Sequence, residues 1–467
     1  MSRAIYCCKI ILYFKKGSIV SPFFISSPFI DLMLLSHYLK IYSCEDKPDH
    51  FLVFSTKNAS KILINKETFQ AVEKGTISPA DEEILSKLGM IIQDREPEKQ
   101  AVSGFFDKIN SNNPVLHIFV VLNLDCNFSC RYCYEGDMKG KLYMSDSTAE
   151  GLIDFIKDRF TQDKTSLLID FYGGEPLLSF GLIKSISHDL KSFTESRGAS
   201  FSSTLVTNGS LFKRKIAEDL VSLGLESVKI TLDGPAEIHN MCRPFKSGAG
   251  SFDAIINNIK ETCGLVKIGI GGNYEKDNHK KFPLLLDYLL EKSLTPDKLF
   301  RVKFDPVIRQ PETSRYRSGY MGGCLSVNEP WIAEAEAMLR EEILRRGYNT
   351  LNMAPASCML EIKDDYVVNF DGMIYKCPGF IGKTDFIAGD IKTGIKDYTD
   401  SYKLGIWKNE ECADCEYLPL CFGGCRYMTF VRDGNIDKLD CKKSYFEASL
   451  ETLVKQDIKY RLKADRH

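Results

Sequence analysis

Residues 115–124, VLHIFVVLNL, form a nearly continuous apolar run that leads straight into a cysteine loop. A strand this apolar is expected to be covered on both faces, and such strands belong to parallel sheets flanked by helices. Four further runs follow, SLLIDFYGG, STLVTNG, ESVKITLDG and LVKIGIGGN, each ending in Gly or Asn. Helices are expected between them over 147–160, 179–195, 211–223 and 251–263. The alternation over 115–310 predicts parallel β/α units with right-handed crossovers, and so an α/β fold. Chemistry in such folds gathers at the C-terminal ends of the strands, where the conspicuous residues of this chain lie.

The chain has 467 residues and 44% hydrophobic composition, enough for two or three packed domains. Residues 33–100 read as a small first unit. Strands are expected over Tyr38–Cys44 and Phe51–Ser55, separated by the turn-rich EDKPDH. Helices are expected over Ala59–Gly75 and Ala80–Leu88, with Pro79 opening the second. Residues 101–114 close a polar stretch and read as a linker. The α/β core spans 115–320. Residues 321–445 hold one amphipathic helix over 330–347 and otherwise little periodicity, so this region needs something besides a large core to hold it. Residues 446–467 belong to a closing helix.

The apolar runs within residues 1–32 fall short of the roughly 20 residues that span a bilayer. They read as an upstream extension ahead of Met33. The net charge of −2 speaks against an electrostatic grip on nucleic acid or an anionic membrane.

Sixteen cysteines occur, most of them in two groups. Cys44, Cys242 and Cys263 lie apart and suit the role of small buried hydrophobes. A disulfide framework suits small secreted domains and not a long chain with large apolar stretches. The first group is Cys126-x3-Cys130-x2-Cys133, on the loop after the first strand. Three thiolates on one loop can ligate three irons of a cubane cluster and leave the fourth open. A zinc site, the alternative, wants a fourth ligand, and the nearest histidine, His117, lies inside the strand. The second group runs Cys358, Cys377, Cys412-x2-Cys415-x5-Cys421-x3-Cys425 and Cys441. This spacing points to metal, with paired zinc knuckles as the alternative to iron–sulfur clusters.

The C-x3-C-x2-C loop, with Tyr132 before its third cysteine, resembles the radical S-adenosylmethionine (SAM) superfamily. Gly173-Gly174-Glu175-Pro176 at the end of the second strand resembles that superfamily's GGEP motif. The resemblance implies a partial (β/α)6 barrel and a [4Fe–4S] cluster on Cys126, Cys130 and Cys133. It also implies a SAM site at Tyr132, Gly173, Gly174, Glu175, Pro176, Asn208, Asp233 and Arg243, with Gly269–Asn273 near the adenine. The seven distal cysteines resemble the SPASM extension, which carries two auxiliary [4Fe–4S] clusters, making three in all. By resemblance Cys358, Cys377 and Cys425 ligate the first auxiliary cluster, with Cys324 or an open iron completing it. Cys412, Cys415, Cys421 and Cys441 ligate the second.

Residues 33–100 resemble the winged-helix domain with which peptide maturases hold the leader of a precursor, by adding an extended peptide to a sheet edge. The same stretch is similar to the geopeptide maturase branch. The expectation is a cytoplasmic enzyme that modifies a ribosomally made peptide, most simply by a thioether crosslink, with a ferredoxin or flavodoxin as electron donor. Sulfatase maturases, which act on a folded protein, carry an Asp base after the cysteine equivalent to Cys377. Here that neighbour is Pro378, which cannot take a proton. A radical enzyme for a small molecule and a non-catalytic iron–sulfur carrier are the remaining readings. The GGEP motif argues against the carrier, which needs no nucleotide site.

Overall fold

The computed structural model describes residues 10–12, 34–308 and 328–464. Most of the 1–32 extension and Cys324 lie outside them. The first unit is built from β1 (Ile10–Leu12), β2 (Leu34–Leu35), β3 (Leu39–Ser43), β4 (His50–Ser55), β5 (Lys61–Asn65) and β6 (Ile91–Ile92). β3, β4 and β5 form an antiparallel meander, β1 lies parallel along β5, and β2 pairs with β6.

Two expectations fail here. The helix foreseen over 59–75 begins only at Lys66, because Lys61–Asn65 is a third meander strand. Its sequence, KILIN, is rich in β-branched residues that suit a pleated surface. Asn65 ends the strand and caps the helix, accepting a hydrogen bond from Thr68 N at 2.7 Å. The stretch read as a linker is helical over Arg95–Ser103 and Phe105–Ser111. Most of its polar residues face solvent, but Glu98 is buried and accepts from Ser36 Oγ at 2.5 Å and His37 N at 2.9 Å, and Val102 and Phe106 bury against Trp407, Leu418 and Phe422 of the cysteine-rich region. Apolar burial of this size outweighs the polar appearance of the segment. The second helix, Pro79–Lys87, starts as expected, with Ser78 accepting from Asp81 N.

The core sheet runs through β7 (Val115–Val121), β8 (Ser166–Tyr172), β9 (Ser200–Thr207), β10 (Leu225–Thr231), β11 (Lys267–Tyr274) and β12 (Leu299–Pro306). Their spatial order is the order of the sequence, and every pair is parallel. One alternating set of side chains, including Leu116, Ile118, Ile169, Phe171, Val228, Ile230 and Ile270, packs against the surrounding helices. The other set points to the inside.

Among the described residues this partial barrel does not close on itself: β12 has no strand beyond it, while β7 accepts a further parallel strand, β13 (Asp365–Val368). The antiparallel β14 (Met373–Tyr375), β15 (Gly389–Asp390) and β16 (Gly394–Ile395) continue it. The cysteine-rich region is therefore an extension of the barrel sheet. A closing helix, Lys443–Ala464, packs against Pro330–Arg345. Among the described residues no helix is long and apolar enough to cross a membrane.

Candidate active site

The loop after β7 is fastened to the end of β8 backbone to backbone. Gly174 N donates to Asn123 O at 3.0 Å, and Glu175 N to Asp125 O at 2.7 Å. A Cβ on Gly173 would stand 2.4 Å from Asn123 O, and one on Gly174 2.1 Å from Asp125 O. No side chain fits either place, so the two glycines set the distance between the cysteine loop and the β8 turn.

Cys126 is buried, and its Sγ accepts from Phe128 N at 3.4 Å. Cys130 and Cys133 border a cavity of about 220 Å³ together with Phe128, Gly136, Lys139 and Lys246. Burial pushes the Cys126 thiol up to about 11, and Lys139 pulls against that shift. Burial likewise raises Cys133, whose thiol is hydrogen-bonded to Lys139. These thiols keep their protons until a metal displaces them.

Among the described residues no three acidic, histidine or cysteine side chains close tightly enough to hold a single bare ion. The first loop instead sets two of its soft sulfur donors, Cys130 and Cys133, at the rim of a cavity and buries the third, Cys126. That donor set and space fit a cubane cluster.

Glu175 is fully buried. It accepts from Thr207 Oγ1 at 2.7 Å, Asn208 N at 2.8 Å and Leu177 N at 3.1 Å. The carboxylate thereby braces the ends of β8 and β9. Pro176 opens a short 3-10 turn, Pro176–Ser179. The Asn208 amide donates to Asn127 Oδ1 at 2.7 Å and reaches within 3.9 Å of Cys126 Sγ.

A second network joins the cysteine loop to the far strands. The Tyr132 hydroxyl donates to Asp233 and accepts from Arg243 Nη1 at 2.9 Å and Asn273 Nδ2 at 3.1 Å. Asn273 N donates to the other Asp233 oxygen at 2.8 Å. Burial raises the Asp233 carboxyl, while Arg243 and Tyr132 pull it down. Tyr132, Asp233, Arg243 and Asn273, named separately from sequence, thus form one wall above the C-terminal strand ends.

The distal cysteines fall into two sets. Cys358, Cys377 and Cys425 share an apolar cluster with Tyr375, Phe380 and Tyr427. Burial raises Cys358 and Cys377, and the proximity of Cys425 raises both further. Cys412 is pushed up to about 11, by burial and then by Cys421, Cys415 and Cys441. Pro378 starts a short turn against which the Tyr427 ring lies, so close that a Cβ on Gly379 would stand 2.6 Å from it.

The sequence reading passed over Tyr134 and Glu135, although they follow the third cysteine directly. Tyr134 Oη donates to Tyr172 Oη at 2.7 Å, at the end of β8. Glu135 is buried beside them, and burial pushes its carboxyl up to about 7.

Residues 120–279 match the Radical SAM superfamily, and the chain carries a radical SAM domain there. Its relatives include an uncharacterized protein of Methanocaldococcus jannaschii, 34% identical over 135 residues, which are 29% of this chain and 44% of that protein. The radical SAM cyclopropyl synthase TigE of Paramaledivibacter caminithermalis is 21% identical over 85% of this chain and 87% of its own. The cysteine-type anaerobic sulfatase-maturating enzyme of Clostridium novyi is 24% identical, over 72% of this chain and 96% of its own. In fold, the chain is similar to native anSMEcpe with bound AdoMet and the Cp18Cys peptide. That likeness has a TM-score of 0.60 at 20% identity, over 74% of this chain and 99% of the other. Streptococcus suis SuiB bound to precursor peptide SuiA is similar with a TM-score of 0.50 at 15% identity, over 88% and 99%.

The superfamily match implies SAM and a [4Fe–4S] cluster, and Cys126, Cys130 and Cys133 lie within the matched residues.

Proposed function

We propose that the chain is a maturase that modifies a ribosomally made precursor peptide, held through its leader on the first unit. The observation that carries this reading is the joining of three parts in one body. These are the SAM-type loop, two further thiol sets on an extension of the same sheet, and an antiparallel meander followed by helices at the N-terminal end. A SAM-bound [4Fe–4S] cluster, once reduced, supplies a 5′-deoxyadenosyl radical that removes a hydrogen atom from the peptide.

The chain's own residues set the stage for that chemistry. Gly173 and Gly174 bring the β8 turn against the cysteine loop and offer backbone groups to the amino acid end of SAM. Tyr132, Asp233, Arg243 and Asn273 form the polar wall for the rest of the cofactor. Cys358, Cys377 and Cys425, with Cys324 as candidate fourth ligand, would hold one auxiliary cluster. Cys412, Cys415, Cys421 and Cys441 would hold the other. An extended leader would pair along the meander of β3, β4 and β5. Pro378 leaves no carboxylate beside Cys377, which favours a peptide crosslink over sulfatase maturation.

The product expected is a thioether: one hydrogen atom of the C–H bond would go to the 5′-deoxyadenosyl radical, the cysteine thiol would give up its proton to solvent, and the remaining electron would pass to an auxiliary cluster as sulfur joins carbon, a net loss of two hydrogens. Incubation of the reconstituted protein with reductant, SAM and the short peptide encoded beside its gene tests this. A mass loss of two hydrogens supports the reading. SAM cleavage with an unmodified peptide of unchanged mass sinks it.

A further inference from the structure

The inside of the barrel is not chemically uniform. On one side His117 lies between Asp170 and Asp365, and Thr204 also donates to Asp170, so both carboxylates are already engaged. The opposite side, formed by β10, β11 and β12, is basic. Lys229 pairs in register with Gly269, and Gly269 with Arg301; one rung higher, Gly271 pairs with Lys303. These residues sit on the face opposite Val228, Ile230, Ile268, Ile270 and Val302, which pack against the helices. A Cβ on Gly271 would stand 2.7 Å from Lys229 Cε, so the lysine stem lies across a strand with no side chains of its own there.

Arg301 lies near enough to Lys303 to oppose its charge, and burial pushes the Arg301 guanidinium down. Lys303 pairs with Asp305 at 2.6 Å. The other acid on these three strands is the exposed Glu226, at an irregularity of β10. Among the described residues neither Lys229 nor Arg301 forms an ion pair. Gathering like charges on one wall costs free energy unless an anion joins them. The wall also borders the open edge of the barrel, since β12 has no strand beyond it among the described residues.

We propose that Lys229, Arg301 and Lys303 receive a carboxylate of the substrate, so that the peptide carries an Asp or Glu near the residue that reacts. This rests on the maturase reading and narrows it to acidic peptides. Gly269, where a Cβ would meet nothing nearer than 3.9 Å, leaves room for a backbone beside the strand, and Arg301 supplies a planar fork suited to a carboxylate.

The test uses the reconstituted full chain and two fluorescein-labelled peptides, Gly-Gly-Glu-Cys-Glu-Gly-Gly and its counterpart with Gln for both Glu. Affinity is read by fluorescence anisotropy, and S-adenosylhomocysteine affinity is read in parallel by calorimetry. The Glu peptide is expected to bind about tenfold more tightly than the Gln peptide, an advantage lost in the Lys229→Gln/Arg301→Gln/Lys303→Gln variant and reduced by added salt. Arg301→Gln alone, which keeps both lysines, serves if the triple variant does not fold. Equal binding of the two peptides overturns the acidic preference and leaves the maturase reading standing. No binding of either peptide overturns the proposal, while the maturase reading, which holds the precursor through its leader, is decided by the mass change of the full precursor. Unchanged peptide binding with weakened S-adenosylhomocysteine binding assigns the wall to the cofactor and also overturns the proposal.

Discussion

Arg243 Nη1 donates to the Tyr132 hydroxyl at 2.9 Å, which ties the segment after β10 to the loop that carries the three cysteines. The same hydroxyl donates to Asp233, so one phenol sits between a cation and a carboxylate. A charged partner makes such a bond shorter and stronger than a neutral one. Arg243→Gln removes the charge and leaves Asp233 buried without its cation. The expected result is about a tenfold loss of SAM affinity by equilibrium dialysis, with unchanged iron content. Loss of iron along with affinity would make Arg243 a support of the loop and not of the cofactor.

The thiol sets separate cleanly enough to be removed one at a time. Alanine at Cys126, Cys130 and Cys133 is expected to abolish 5′-deoxyadenosine formation and to remove about four irons, leaving the rest bound in the C-terminal region. Alanine at Cys412, Cys415, Cys421 and Cys441 is expected to remove a similar amount while SAM cleavage persists. Iron and sulfide assays on reconstituted protein check both. Loss of all iron from either variant would mean that the sets do not assemble independently.

What the sequence made readable follows its periodicity. The apolar run 115–124 and the four runs ending in Gly or Asn became β7–β11, because their length, apolar composition and turn residues suit strands of a parallel sheet. The chain-end motifs were readable because they combine unusual residues at fixed spacing. The third meander strand was obscured because KILIN is too short to show a period before the helix that follows. The helices over 95–111 were hidden because their few apolar residues face a partner hundreds of residues away, around Trp407. The role of Glu175 as a brace was equally invisible, since it depends on Thr207 and Asn208 arriving from the next strand. The basic wall opposite His117 emerges only once three strands are laid in register.

Asp457 on the closing helix pairs with Lys61 on β5 at 2.9 Å and with Arg340, and all three side chains are buried. This triad holds the first unit against the C-terminal region. Asp457→Asn would leave two cations inside without a counter-charge. The expected cost is about 3–5 kcal/mol, read as a lower urea midpoint of the apoprotein. Replacing Lys61 and Asp457 together by Met and Leu is expected to cost less than Asp457→Asn alone, because one buried cation, Arg340, is then left without its carboxylate, and not two. A double variant as unstable as the single one would show that packing, not charge, dominates the joint.

His117 offers a stability signal that titrates. Burial alone would push its imidazole down, but Asp170, whose Oδ2 lies 2.9 Å from Nε2, and Asp365, 3.6 Å from Nδ1, lift it from 6.5 to about 9. A pKa raised on folding means that the folded chain holds a proton that the unfolded chain gives up more readily. The contribution is therefore full below about pH 6.5 and is lost as the pH rises through about 9. A shift of this size corresponds to about 3 kcal/mol. Urea midpoints of the apoprotein are expected to fall between about pH 6 and pH 9.5, and His117→Gln is expected to flatten that dependence while lowering stability at the acid end. An unchanged slope in the variant would place the titration elsewhere, and would mean that His117 is neutral between its two carboxylates.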